Sequence, residues 1–131
     1  MGIYISDGSI PVLSNVIIQN NTASSGGGIY LYIGTPIIED SYILNNEANH
    51  NGGGIYSSSV NINTLPPEHQ GIVENYTVLN RTVIANNSAN NGYNCAGNGA
   101  GLELFYYSKT KIYNSIITNN SVIQEGMCEW T

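Results

Sequence analysis

Apolar residues along this chain come in short, β-branched runs that alternate with polar positions. Ile3 and Ile5 flank Tyr4, and Ile29 and Leu31 flank Tyr30. A period of two places successive side chains on opposite faces of a strand. Val16 to Ile18, Ile37 to Ile38, Val83 to Ile84 and Ile116 to Ile117 are runs of the same kind. Gly and Asn punctuate the chain so often that no helical stripe survives between them. The pattern predicts many short strands joined by tight turns, since Asn and Gly tolerate left-handed backbone angles.

The runs repeat. Gly2-Ile3-Tyr4 returns as Gly28-Ile29-Tyr30 and Gly54-Ile55-Tyr56 at steps of 26 residues, then as Gly101-Leu102-Glu103. A second block, Ile18-Gln19-Asn20-Asn21, returns at Ile43, Ile84 and Ile117 with steps of 25, 41 and 33 residues. The longer steps imply loop insertions near 63–77, with Pro66, Pro67 and Gly71, and near 92–100, with Gly92, Gly97 and Gly99. A fixed coil length with like residues at like positions is the signature of a solenoid. A sandwich or barrel would not require the same turn residue at a constant spacing. The expected fold is all-β: a right-handed parallel β-helix of about four coils of ~25 residues, a single segment over 1–131.

Equivalent positions define columns. Ile18, Ile43, Ile84 and Ile117 form one. Leu13, Ile38, Leu79 and Ile112 form a second, and Ile3, Ile29, Ile55 and Leu102 a third; all three are expected to point inward. Asn20, Asn45, Asn86 and Asn119 form a turn column whose stacked amides can bond to backbone and to one another. Tyr4, Tyr30 and Tyr56 are expected to stack on an outward face above Glu103, with Ser6, Tyr32, Ser58 and Phe105 two positions on. Asn15, Asp40, Arg81 and Asn114 form a further column, which sets Arg81 one coil from Asp40.

The Ile17-x-x-Asn20, Tyr42-x-x-Asn45, Val83-x-x-Asn86 and Ile116-x-x-Asn119 segments resemble a relaxed Phe-x-x-Asn motif. Gly26-Gly27-Gly28-Ile29 and Gly52-Gly53-Gly54-Ile55 resemble its Gly-Gly-Ala-Ile partner. Together, over nearly the whole chain, they are similar to the repeats of polymorphic outer-membrane proteins and the wider right-handed β-helix superfamily that includes pectate lyases. That resemblance implies a secreted, surface-displayed segment used in adhesion. It also sets out an alternative, a pectate-lyase-like carbohydrate-active enzyme whose site is incomplete here.

Composition narrows the function. The 131 residues are 41% hydrophobic and 9% charged, with a net charge of −6. The cations are Arg81, Lys109 and Lys111, too few for a phosphate-neutralising surface, so nucleic acid and anionic membranes are poor partners. No apolar run reaches the ~20 residues of a membrane helix. Neither end carries a solenoid cap, and no signal peptide is visible, so a fragment of a longer solenoid that associates end to end is expected.

The candidate chemistry is sparse. The aromatic positions Tyr4, Tyr30, Tyr32, Tyr56 and Phe105 could meet the rings of a polysaccharide or cell-surface glycan. Asp40, Glu68, Arg81 and Glu103 are candidate polar groups of a groove, with Glu74 nearby in sequence. Glycoside hydrolysis needs two carboxylates at a defined separation, and no Asp-Asp pair occurs. Calcium needs six to eight oxygens, and only Glu39 and Asp40 cluster. His50 and His69 lack partners at metal-ligand spacing, so no metal and no cofactor is implied. Gly26-Gly27-Gly28 precedes a strand and lacks the Lys of a phosphate loop. No Thr-x-Thr array suits ice binding. Cys95 and Cys128 each follow their Ile column by 11 residues, which predicts a disulfide between adjacent coils and an oxidising compartment. Asn-x-Ser/Thr sequons at Asn20, Asn75, Asn80, Asn86 and Asn119 are compatible with secretion. The first reading is a structural, adhesive or glycan-binding module, extracellular or at the cell surface.

Overall fold

The structure, a computed structural model, describes residues 1–68, 70, 76–90 and 99–123. The predicted bridge between Cys95 and Cys128 lies outside the described residues, as do His69 and Glu74. Four strands make each winding of the chain. Coil 1 holds β1 (Ile3–Ser6), β2 (Val12–Ser14), β3 (Ile17–Gln19) and β4 (Thr22–Ser25). Coil 2 holds β5 (Ile29–Tyr32), β6 (Ile37–Glu39), β7 (Tyr42–Leu44) and β8 (Glu47–Asn51). Coil 3 holds β9 (Ile55–Ser58), β10 (Thr77–Asn80), β11 (Val83–Ala85) and β12 (Ser88–Asn90). Coil 4 holds β13 (Leu102–Phe105), β14 (Thr110–Tyr113), β15 (Ile116–Thr118) and β16 (Ser121–Ile123).

Equivalent strands pair in parallel, giving four four-stranded sheets: β1-β5-β9-β13, β2-β6-β10-β14, β3-β7-β11-β15 and β4-β8-β12-β16. This is a right-handed parallel β-helix of four coils. The register is the one the repeats predict. Ile18 sits on Ile43, Ile43 on Ile84, and Ile84 on Ile117. Leu13 aligns with Ile38 and Leu79, and Ile3 with Ile29 and Ile55. The inward residues Ile29, Leu31, Ile38, Ile43, Ile55, Leu79 and Ile84 are buried and form the core. Burying each contributes on the order of 1.5–3 kcal/mol.

Left-handed residues turn the chain at the corners. Asn15, Asp40, Arg81 and Asn114 have φ of 57°, 50°, 48° and 48° between the second and third sheets. Asn20, Asn45, Asn86 and Asn119 have φ of 58°, 53°, 56° and 52° between the third and fourth. Gly26, Gly52 and Gly99 do the same before the first sheet. Asn tolerates this region better than most residues, which accounts for its abundance.

The amide ladder, however, is built by the second Asn of each pair and not by the first. Asn20, Asn45 and Asn86 supply the turn, which leaves the following side chain pointing inward. Asn21 Nδ2 donates to Asn46 Oδ1 at 3.0 Å, Asn46 Nδ2 to Asn87 Oδ1 at 3.0 Å, and Asn87 Nδ2 to Asn120 Oδ1 at 2.9 Å. The same oxygens accept the backbone N–H groups of Asn21, Asn46 and Asn87. The remaining amide hydrogens of Asn46, Asn87 and Asn120 go to the carbonyls of Ile18, Ile43 and Ile84. A shorter hydroxyl ladder runs parallel to it: Ser41 Oγ accepts from Val16 N–H, and Ser115 Oγ from Thr82 N–H.

The ladder also explains the glycine block. A Cβ on Gly28 would lie 2.9 Å from Asn46 Nδ2, and one on Gly54 would lie 3.0 Å from Asn87 Nδ2. The two repeat motifs therefore face one another inside each coil, and the absent side chain makes room for the amide.

Candidate functional site

The outward face of the first sheet carries the aromatic residues. Alternation along β1, β5 and β9 sends Ile3 and Ile5 inward and their neighbours outward. Tyr4, Tyr30 and Tyr56 align in register above Glu103, and Ser6, Tyr32, Ser58 and Phe105 align beside them. Ring centroids are 5.4 Å apart for Tyr4 and Tyr30, 5.0 Å for Tyr30 and Tyr56, and 6.1 Å for Tyr56 and Phe105. Phe105 meets Tyr106 edge to face at 4.3 Å. The first three rings lean 35° and 41° from one another, so they spend much of their faces on each other.

Exposure along the column is uneven. Tyr4 is 54% exposed, whereas Tyr56 is 7% exposed, so the tyrosine column is not a continuous open platform. Burial pushes the phenol pKa of Tyr30 upward, reinforced by Tyr4 and Tyr32; burial does the same at Tyr56. Glu103, beneath Tyr56, is also buried. Its carboxyl is pushed up to about 7 by desolvation, against an opposing backbone hydrogen bond at Gly52. Its Oε2 has no hydrogen-bond partner.

A cleft of about 370 Å³ opens where the first insertion meets this face. Tyr32, Tyr106 and Tyr107 supply its aromatic walls, and Ser58, Ser59, Asn61 and Thr64 supply hydroxyl and amide groups. A turn at the start of a short 3-10 segment, Ile62–Thr64, holds the insertion there. Asn61 Oδ1 accepts from Asn63 N–H at 3.0 Å, its carbonyl accepts from the Thr64 hydroxyl at 2.7 Å, and its Nδ2 donates to the Tyr107 hydroxyl at 3.3 Å. The cleft lies in the size range of small-ligand sites, and no charged residue lines it.

The other sequence candidates lie apart from it. Arg81 makes a two-pronged pair with Asp40 at 2.6 and 2.7 Å, on the corner between the second and third sheets, with Glu39 at 3.9 Å. The bonded guanidinium holds the Asp40 carboxyl below its ordinary range. Glu68 is exposed in the first insertion. Of the candidates, then, Tyr32 lines the cleft, Phe105 packs on the edge of one of its walls, and Asp40 pairs with Arg81 elsewhere. Tyr106, Tyr107, Asn61 and Thr64 escape periodicity because they belong to turns and an insertion, not to columns. The run Phe105-Tyr106-Tyr107 was their visible signal. Among the described residues no group of three or more His, Cys, Asp or Glu could hold a metal ion. No helix of the described residues is long and apolar enough to cross a membrane.

The fold thus defines a class, the parallel β-helix solenoids. Beyond that class, no protein-family model, curated protein or solved structure matches the chain.

Proposed function

We propose that this chain is a β-helix module, extracellular or at the cell surface, that contacts neutral glycan through the cleft between Tyr32 and Tyr106. The observation that carries this reading is the lining: three tyrosines with serine, threonine and asparagine groups, and no charge. Sugars present apolar ring faces beside hydroxyls, and such a wall satisfies both. The likeness of the Ile-x-x-Asn and Gly-Gly-Gly-Ile repeats to those of polymorphic outer-membrane proteins supports an adhesive setting. The test is a glycan array followed by titration of the strongest neutral ligand. Tyr32→Ala and Tyr106→Ala should each weaken binding at least tenfold while the fold is retained. No neutral ligand, or binding indifferent to both substitutions, contradicts the proposal.

One observation favours a second reading, a pectate-lyase-type enzyme. The Glu103 carboxyl, held near neutrality, lies in the range suited to a general acid. Against it, Glu39 and Asp40 are engaged by Arg81 at a different corner. A polysaccharide degradation assay with Glu103→Gln separates the two: catalysis requires cleavage that this variant loses, and a binding module shows none.

A further inference from the structure

The asparagine ladder has a polarity. At every inner step the lower Asn offers Oδ1, and the upper coil gives it both a backbone N–H and an Nδ2–H. The two ends of the stack are therefore unlike. At the coil-4 end, Asn120 Nδ2 donates to the Ile84 carbonyl. Its second amide hydrogen and its backbone N–H find no acceptor among the described residues. At the coil-1 end, Asn21 Oδ1 receives no donor among the described residues. Two donors at one end and one double acceptor at the other are the two halves of a single ladder step.

The surrounding edges match in the same way. The column of Leu104, Ile112, Ile117 and Val122 is 43–47% exposed in coil 4. In coil 1 the same columns hold Ile5, Leu13, Ile18 and Ala23. Both ends turn their corners with left-handed Asn, at Asn15 and Asn20 and at Asn114 and Asn119. Exposed edges are ordinarily blocked by charge or proline, yet β1 to β4 contain neither. No like charges oppose a joint here.

We infer that the coil-4 edge of one copy receives the coil-1 edge of a second copy of this chain, with Asn120 donating to Asn21. The occupant is a second copy because coil 1 alone supplies this acceptor, this corner pattern and these apolar columns in one frame. Such a contact is head to tail, and repetition yields an open stack and not a closed dimer. The inference is independent of the cleft and its ligand.

The test uses two variants, each blocked at one end by a charge that stacking would bury. Leu104→Lys with Val122→Lys closes the coil-4 end, and Ala23→Lys closes the coil-1 end. In sedimentation velocity the unaltered chain should form a concentration-dependent series extending beyond the dimer. Each variant alone should be a monomer with its β-type circular dichroism retained. An equimolar mixture should give a one-to-one dimer, since one open end of each kind remains. An unaltered chain that stays monomeric at its highest soluble concentration overturns the inference, whatever the variants do. So does a folded single-end variant that still self-associates, or a mixture of folded variants without dimer.

Discussion

Coils 3 and 4 carry nearly the same strand pattern and live in different surroundings. Ile84 and Ile117 occupy one column, yet Ile84 is 1% exposed and Ile117 is 43% exposed. Asn87 is fully buried and bonded on both sides, whereas Asn120 is half-buried with the ladder continuing on one side only. A strand of this solenoid does not bury its own face; the neighbouring coils do. Identical substitutions should therefore have unequal effects, graded by the number of coils in contact.

The largest difference is expected at the ladder. Asn87→Ala leaves the Asn46 amide and backbone N–H without their acceptor and the Ile43 carbonyl without its donor, in a site closed to water. Such orphaned groups cost roughly 1–3 kcal/mol each, so a loss of about 3–5 kcal/mol is expected in urea unfolding. Asn120→Ala, where water can reach the freed groups, should cost about 1–2 kcal/mol. Equal losses at the two sites would break the comparison.

Next comes the apolar column. Ile84→Ala should cost about 2–5 kcal/mol through lost burial and the cavity left behind. Ile117→Ala should cost less than about 1 kcal/mol, because little area is removed from contact. Thermal unfolding of both variants checks the ratio.

Glu103 sharpens the same point through pH. Its folded pKa is raised to about 7, so in the native state it keeps its proton where the unfolded chain has already lost it. Below the ordinary carboxylate pKa both states are protonated and no stability is lost. As pH rises from there toward 7 the unfolded state ionises first, and stability falls; above 7 the penalty is constant. Glu103→Gln should therefore stabilise the protein by roughly 1–3 kcal/mol at pH 8 and leave it unchanged at pH 4. Chemical denaturation at the two pH values measures this.

The smallest effect is expected outside the cylinder. The Asp40–Arg81 pair is short but fully in solvent, where Coulomb attraction is weak and side-chain ordering opposes it. Arg81→Asn, which also suits the left-handed corner that Asn15 and Asn114 occupy, should leave the unfolding midpoint unchanged within error.

The cylinder was legible in the sequence because stacking forces like onto like. Ile18, Ile43, Ile84 and Ile117 could be aligned by eye, as could the Tyr4, Tyr30 and Tyr56 column. The division of labour within each Asn-Asn pair was not. Both residues recur with the same period, and only backbone angle distinguishes the corner residue, with φ near 55°, from the one whose amide turns inward. The burial of Tyr56 was hidden too, since its neighbours are supplied by coils above and below. The cleft was least visible, because Asn61, Thr64 and Tyr107 sit in segments that follow no repeat.

Hydrogen exchange of the asparagine side-chain amides tests the central arrangement most directly. Resolved by NMR, the Nδ2 hydrogens of Asn46 and Asn87 should exchange slowly, at rates governed by opening of the stack, while those of Asn45 and Asn86 exchange at the rate of free amides. Comparable rates within each pair, or protection of Asn45 and Asn86 instead, would contradict the inward ladder and with it the account of how the coils are joined.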